Sequence, residues 1–164
     1  MTQKHCILAT TLLLAACTPI RPQVELTTGV ALHDYHAFEV APVEDASGYT
    51  LFPWPIEDSL RLRLVEQLQY HKLTVRTAEA DSADAAGVLV LKGTLMSFRS
   101  GSYNIREPQT RISSRCSFVL YLIDKQTGAR VGRIQSAEDE VYMPFQVLMQ
   151  CGRLTVDELA RRVK

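Results

Sequence analysis

The chain has 164 residues, of which 46% are hydrophobic and 22% are charged, a composition that suits one globular domain and excludes whole-chain disorder. Its 18 basic side chains balance its 18 acidic ones, so the formal net charge is zero. This balance gives no general electrostatic reason to bind nucleic acid, and we expect no nucleic-acid partner.

Residues 1–16 have the layout of a signal peptide. Lys4 precedes an apolar run from residue 6 to residue 16 that contains no charged side chain. As a helix this run would extend roughly 16 Å, about half of a hydrocarbon core of ~30 Å. The segment is therefore expected to be a targeting sequence that is removed, and not a permanent transmembrane helix.

The end of this segment resembles the lipobox of bacterial lipoproteins, in which a branched apolar residue and two small residues precede a cysteine. The matching residues are Leu14, Ala15, Ala16 and Cys17. The resemblance implies that signal peptidase II cuts before Cys17, that its thiol receives a diacylglycerol, and that the new amino group is acylated, for example with palmitate. Two or three acyl chains, at about 0.8 kcal/mol per buried CH₂, would anchor the protein stably.

The residue after the cysteine bears on the destination of the lipoprotein. Thr18 stands there instead of aspartate, which resembles the pattern sent onward to the outer membrane. We expect the mature protein on the periplasmic face of the outer membrane, with the inner membrane as the less favoured location. The alternative to the whole interpretation is an ordinary secretory signal in which Cys17 is incidental.

Residues 17–34 are predicted to be a lipid-anchored spacer. They contain prolines, threonines and a glycine without steady periodicity, although a short β segment is compatible with the pattern. Residues 35–164 are expected to form one α+β domain in the periplasm. Its sheet is predicted to be mixed or antiparallel with about five strands, with one long amphipathic helix and a short C-terminal helix.

The first strand is predicted over residues 36–43, where Phe38 and Val40 alternate with smaller or polar side chains. The clearest helix covers residues 56–70, because apolar residues recur every four positions among charged and polar ones. The recurring residues, expected to face the core, are Ile56, Leu60, Leu64 and Leu68.

An aromatic cluster lies just before this helix. Tyr49, Phe52 and Trp54 are expected mainly to pack over the start of the helix, and the alternative is an exposed contact surface. Further strands are predicted over residues 73–77 and, in the middle of the sheet, over residues 88–98.

Residues 99–115 are predicted to be a long hairpin loop with an excess of positive charge. Glu107 is its only acid, and its four arginines are Arg99, Arg106, Arg111 and Arg115. Guanidinium groups suit phosphate on lipid A, carboxylates on peptidoglycan, or acidic groups on a protein partner. The alternative is a solvated loop without a ligand.

The rest of the chain predicts a hairpin and a helix. Strands over residues 116–123 and 130–136 flank the turn residues Asp124 to Gly128. Thr155 and Glu158 resemble a capping box, which predicts a terminal helix over residues 156–163.

Cys116 and Cys151 remain once Cys6 is removed with the signal and Cys17 is lipidated. An even pair in an oxidising compartment is a candidate disulfide. The alternative is that each is a small buried hydrophobe, which fits Cys116 because it alternates with Phe118 and Leu120 along a strand.

No residue pattern predicts catalysis or a cofactor. His33 and His36 are three apart, but no further Cys or His motif accompanies them, so we expect surface histidines and no metal. His71 is expected to close the helix. Neither a nucleophile elbow nor a metal-binding motif is present, and we expect that the protein is not an enzyme.

The order of elements resembles that of a group of uncharacterised Gram-negative lipoproteins. The resemblance covers roughly Tyr35 to Ser136 and depends on Ala85-Ala86, Lys92-Gly93-Thr94 and the turn at Asp124 to Gly128. Their folds are related to the amino-terminal domain of the translocation protein TolB and to the curli secretion lipoprotein. The resemblance implies a non-enzymatic envelope role and names no active residues.

Two functions follow as hypotheses. The leading one is a structural or accessory lipoprotein that serves an envelope assembly or export complex through a protein partner or self-association. The alternative is a binding module for a cell-wall or lipid ligand, which predicts a pocket.

Overall fold

A computed structural model describes residues 21–52, 54–76, 85–101, 113–140 and 144–164. Within these residues, two α-helices pack against one another and against a mixed sheet of seven strands. The elements are β1 (Gln23–Leu26), a 3-10 turn (Leu32–Asp34), β2 (Ala37–Val40), β3 (Glu44–Asp45), α1 (Ile56–Tyr70), β4 (Thr74–Arg76), β5 (Val88–Arg99), β6 (Ser114–Asp124), β7 (Arg130–Glu140) and α2 (Pro144–Val163). The predicted α+β class is confirmed, with more strands than expected because the shortest ones leave little pattern.

The sheet combines an antiparallel half with a parallel half. Its strand order is β1-β7-β6-β5-β2-β4, and β3 also pairs with β5. Strands β5, β6 and β7 run antiparallel, whereas β2 pairs in parallel with both β4 and β5. The predicted hairpin is confirmed: the backbone N–H of Thr127 donates to Asp124 Oδ1 at 2.7 Å, and Gly128 takes the positive φ of +69°.

Side chains alternate between the two faces of the sheet. Leu120 and Ile134, which are directly opposite one another on β6 and β7, are fully buried in the core beneath the helices. Their neighbours Tyr121 and Arg133 face the other way, and Arg133 forms an exposed ion pair with Glu25 at 2.6 Å. The face opposite the helices is therefore solvated, and its ion pairs contribute little stability.

The predicted long helix is confirmed at both ends. Pro55 precedes α1, whose first turn carries Glu57 and Asp58, where the helix dipole favours negative charge. The predicted apolar row is buried in the core, with Ile56 at 2% exposure and Leu60, Leu64 and Leu68 at 0%.

The prediction of a short C-terminal helix is wrong, because α2 begins at Pro144 and has 20 residues. Thr155 lies inside the helix instead of capping it, and its hydroxyl donates to the carbonyl of Gly152 at 2.7 Å. Glu158 does not reach back to a cap; it pairs with Arg162 at 2.8 Å. The capping-box pattern therefore arose inside a longer helix.

The sheet reaches back into the segment predicted as a spacer. Strand β1 pairs antiparallel with β7, from Gln23 opposite Gln135 to Leu26 opposite Gly132. Glycine is needed at position 132 because a Cβ there would lie 2.7 Å from the backbone oxygen of Glu25. The first strand of the domain thus lies within a few residues of the predicted anchor.

Tyr35 predicts a measurable pH dependence. Its hydroxyl donates to Asp124 Oδ2 at 2.9 Å, and burial together with this bond raises the pKa of Tyr35 to about 12. In the unfolded chain the pKa of tyrosine is about 10. The contribution of the Tyr35 hydrogen bond to the stability of the fold is therefore complete just below pH 10 and is lost as the pH rises toward 12. The free energy of unfolding should therefore exceed that of a Tyr35→Phe variant by a constant amount between about pH 5 and pH 10, and this difference should shrink above pH 10. The difference should also shrink in acid, because hydrogen bonds from Thr127 and, to a lesser extent, from Tyr35 lower the pKa of Asp124. A difference that stays constant up to pH 12, measured by urea unfolding, would contradict this account.

Candidate functional site

The predicted anchor residues Leu14, Ala15, Ala16 and Cys17 lie outside the described residues, so the lipobox stays a prediction. None of the helices in the described ranges has both the length and the apolar character to cross a membrane.

The predicted arginine loop is only partly described. Arg106 and Arg111 lie outside the described residues, whereas Arg99 and Arg115 lie opposite one another on β5 and β6. Arg115 forms an ion pair with Asp139 on β7. Hydrogen bonds from Ser113 and Arg115 lower the pKa of Asp139, and the charge of Arg99 adds to this effect. The local positive excess is therefore smaller than the loop alone suggested, because β7 supplies an acid.

Cys116 and Cys151 are brought together. Both are buried free thiols, and the Cys151 thiol donates to the backbone oxygen of Cys116 over 3.4 Å. Hydrogen bonding with Cys151, and then burial, hold the pKa of the Cys116 thiol well above its usual range. The two cysteines of the candidate disulfide are therefore adjacent in the fold. The disulfide bond between them stays a prediction.

The histidines do not form a cluster with other metal-binding side chains. His33 and His36 are both exposed, and the nearest acid to His33 is Asp34 at 3.5 Å. Across the described ranges, no three His, Cys, Asp or Glu side chains gather closely enough to hold a metal ion. His71 closes α1 as predicted, and its ring also lies 2.7 Å from Asp157 Oδ1 on α2.

The aromatic cluster divides into a packed part and an exposed part. Tyr49 and Phe52 pack on Phe98 of β5, with ring centroids 4.9 and 5.1 Å away. Trp54 instead meets Phe145 of α2 edge to face at 5.5 Å, and both remain more than 40% exposed. Tyr49 and Phe52 are thus packed, but on β5 and not on the start of α1 as predicted. Trp54 is the exposed member of the cluster, and a contact function for it stays a prediction.

The exposed aromatics belong to a larger apolar area, which we call the aromatic patch: Leu51, Trp54, Leu62 and Phe145. Phe145 joins its two halves, because it lines a cavity of about 240 Å³ with Leu51 and Trp54 and an adjoining cavity of about 440 Å³ with Leu62. Leu51 is 76% exposed and Leu62 is 59% exposed. Large exposed apolar patches are typical of interaction sites, which makes the aromatic patch a candidate contact surface.

Similarity to known proteins is confined to structure. No family model matches the chain, and no curated protein matches it in sequence. A PelC dodecamer from Paraburkholderia phytofirmans is similar in structure, with a TM-score of 0.60 at 18% identity over 85% of this chain and 97% of that one. The lipoprotein GNA1162 from Neisseria meningitidis has a TM-score of 0.45 at 15% identity, covering 76% of this chain and 98% of that one. At 18% identity, the likeness to the PelC structure shows a shared fold and nothing further.

Sequence reasoning missed two features of the surface. Phe145 was not recognised because the helix that carries it was predicted to begin later. The polar contacts between α1 and α2, in which Gln67 and His71 meet Asp157, join residues about 90 positions apart. The four-residue spacing of Arg63, Gln67 and His71 was a signal that these side chains share one stripe of α1.

Proposed function

We propose that the mature chain is a non-catalytic lipoprotein that assembles with copies of itself in the envelope. It would be anchored through lipid on Cys17 at the periplasmic face of the outer membrane, where it serves an assembly or export complex. The observation that carries the proposal is the likeness to PelC, a protein solved as a dodecamer, over nearly all of that chain.

The aromatic patch supports self-association and supplies one of its surfaces. In an assembly of identical copies, the patch would be covered by a surface of a neighbouring copy. Tryptophan is enriched among the residues that dominate the binding energy of interfaces. Trp54 stands at 43% exposure beside Phe145 at 42%, and both would be buried by a neighbouring copy.

The test is the native mass of the full lipidated protein after extraction in a mild detergent. We expect a discrete assembly of many protomers. Truncating Trp54 and Phe145 together to alanine should raise the concentration needed for assembly by roughly thirtyfold or more, which corresponds to about 2 kcal/mol. Tyr70→Ala is the matched control, because Tyr70 is 77% exposed and lies outside the patch.

Each outcome bears on a separate part of the proposal. A monomer at all concentrations would refute self-assembly, and assembly of the double variant at the wild-type concentration would remove the patch from the interface. A Cys17→Ser variant should leave the membrane fraction, and its retention there would contradict the lipid anchor.

A further inference from the structure

A second, polar surface lies where the C-terminal half of α1 meets α2, and it borders the aromatic patch at Arg63 and Glu66. It is a cavity of about 520 Å³, which falls within the roughly 300–1,000 Å³ of small-molecule sites. We call it the seam cleft. Its lining is polar and includes Arg63, Gln67, Tyr70, His71, Arg153 and Asp157.

One wall of the cleft is held in place by hydrogen bonds. Gln67 Nε2 donates to Asp157 Oδ1 at 2.7 Å, and His71 Nε2 lies 2.7 Å from the same oxygen. Gln67 is 7% exposed, so its amide is fixed by packing as well. The wall is therefore organised before any ligand arrives, which lowers the entropy lost on binding. The cleft has two acids, and each already has partners within it: Asp157 meets Gln67 and His71, and Glu66 meets Arg63. Among the described residues, Arg153 is the cation of the cleft that has no ion pair with an acid, and it is the group that an anion can meet.

Each of the two arginines of the cleft has one buried donor without an acceptor among the described residues. The Nε atoms of Arg63 and Arg153 are buried, and neither has a hydrogen-bond partner in the part of the chain that is described. Arg63 uses only its Nη1, at 3.3 Å from Glu66. Buried donors without acceptors are rare in native proteins because each one costs free energy. A ligand oxygen reached by a small rotation of either guanidinium would supply the acceptor.

The cleft continues along the seam. Arg63 also lines an adjoining cavity of about 250 Å³ together with Gln146 and Gln150 of α2. Side-chain amides offer donors and acceptors in pairs, as hydroxyl groups require. Tyr70, 77% exposed at the rim, presents a flat face against which the C–H face of a sugar ring can rest. The two cavities that share Arg63 offer room for more than one sugar unit.

We propose that the seam cleft binds an oligosaccharide that carries carboxylate groups. The guanidinium groups of Arg63 and Arg153 hold the carboxylate, since their planar forks match its two oxygens. The amides of Gln67, Gln146 and Gln150 bond the sugar hydroxyls. Binding at this site and self-assembly are measured separately, so the failure of this proposal would leave the assembly proposal standing.

Isothermal titration calorimetry on the full chain in detergent tests the proposal, with tetragalacturonate as the probe and maltotetraose as its neutral counterpart. We expect saturable binding of the acidic probe and weaker or no binding of the neutral one. Arg153→Gln should weaken the affinity at least about tenfold, because it removes a charge-assisted contact. Arg153→Lys should recover only part of the loss, since lysine keeps the charge without the fork.

Arg161→Gln is the matched control, because Arg161 also lies on α2 but pairs with Glu158 at 2.5 Å outside the cleft. It should bind like the wild type, and all variants should melt at similar temperatures. The proposal is overturned by no saturable heat, by equal binding of maltotetraose, or by wild-type affinity in Arg153→Gln. Inorganic phosphate or a tetraglutamate peptide that binds where tetragalacturonate does not would likewise refute a saccharide site, in favour of a simple oxyanion or a peptide.

Discussion

Replacing Phe118 by alanine is expected to lower the free energy of unfolding by about 3–5 kcal/mol, the range for truncating a large aromatic side chain in a core. Phe118 is fully buried on β6, and its ring lies over Gly93 of the neighbouring strand. A Cβ at position 93 would stand 2.6 Å from the ring, so only glycine leaves the space that the ring fills. The backbone at Gly93 forms one side of the resulting cavity and cannot easily collapse into it. The total free energy of unfolding of a small domain is about 5–15 kcal/mol, so this loss would remove a large part of the stability.

The control for this change is Tyr70→Ala, since Tyr70 is 77% exposed and carries an aromatic ring of similar size. Truncating it should change the free energy of unfolding by less than about 0.5 kcal/mol. Urea unfolding of both variants gives the two changes in the free energy of unfolding. The comparison requires that the dependence of this free energy on urea concentration has the same slope as in the wild type. Equal losses for Phe118 and Tyr70 would show that the packing on Gly93 contributes nothing beyond ordinary surface contact.

The elements that could be predicted are those whose sequence pattern lies within the element itself and marks both of its ends. The four-residue apolar row of α1 and the turn chemistry from Asp124 to Gly128 each contain their own boundaries, and the structure places both as expected. Strand β3 has two residues, and β1 has four in a segment without periodicity. These short strands form because backbone groups of β5 and β7 are free to pair with them. The partner strands are distant in sequence, so the local pattern of β1 and β3 does not predict the pairing.

The error at α2 has a physical explanation. Buried residues continue at helical spacing through Val147, Leu148 and Cys151 to Val156 and Leu159. Gly152 interrupts this row in the sequence, where glycine argues against a helix interior. In the structure, a Cβ at Gly152 would meet Leu60 and Leu64 of α1 at 3.7 Å, an ordinary contact distance. Tertiary packing of the two helices thus outweighed the local preference that favoured a later start.

The candidate sites were harder to predict because they consist of side chains from distant parts of the chain. Arg99 and Arg115 could be read as a positive loop, but Asp139 comes from another strand and balances part of that charge. The seam cleft joins Arg63 on α1 with Arg153 on α2, and only the packing of the helices brings them to one cavity. The sequence pattern of a helix shows which of its residues share one face. It does not show which face of another helix packs against that face.

Oxidation of Cys116 and Cys151 to a disulfide is expected to raise the free energy of unfolding by about 3–4 kcal/mol in the chain-entropy model, because the bond closes a loop between residues 35 positions apart. The two thiols are adjacent and buried, so the native fold already holds them close. The compartment predicted by the signal peptide is oxidising, which favours the bond. Protein isolated from the envelope without reductant should therefore have no thiol that reacts with iodoacetamide after denaturation.

The timing of this oxidation follows from the burial of the thiols. The thiolate is the reactive species, and the raised pKa of Cys116 suppresses it once the fold has formed. The bond should therefore form before α2 packs onto β6, and folded protein that has been reduced should reoxidise slowly unless it is partly unfolded. A Cys116→Ser, Cys151→Ser double variant is the control, and its stability should not depend on the redox conditions. Two reactive thiols in the denatured envelope protein would instead mean that both cysteines act as small buried hydrophobes.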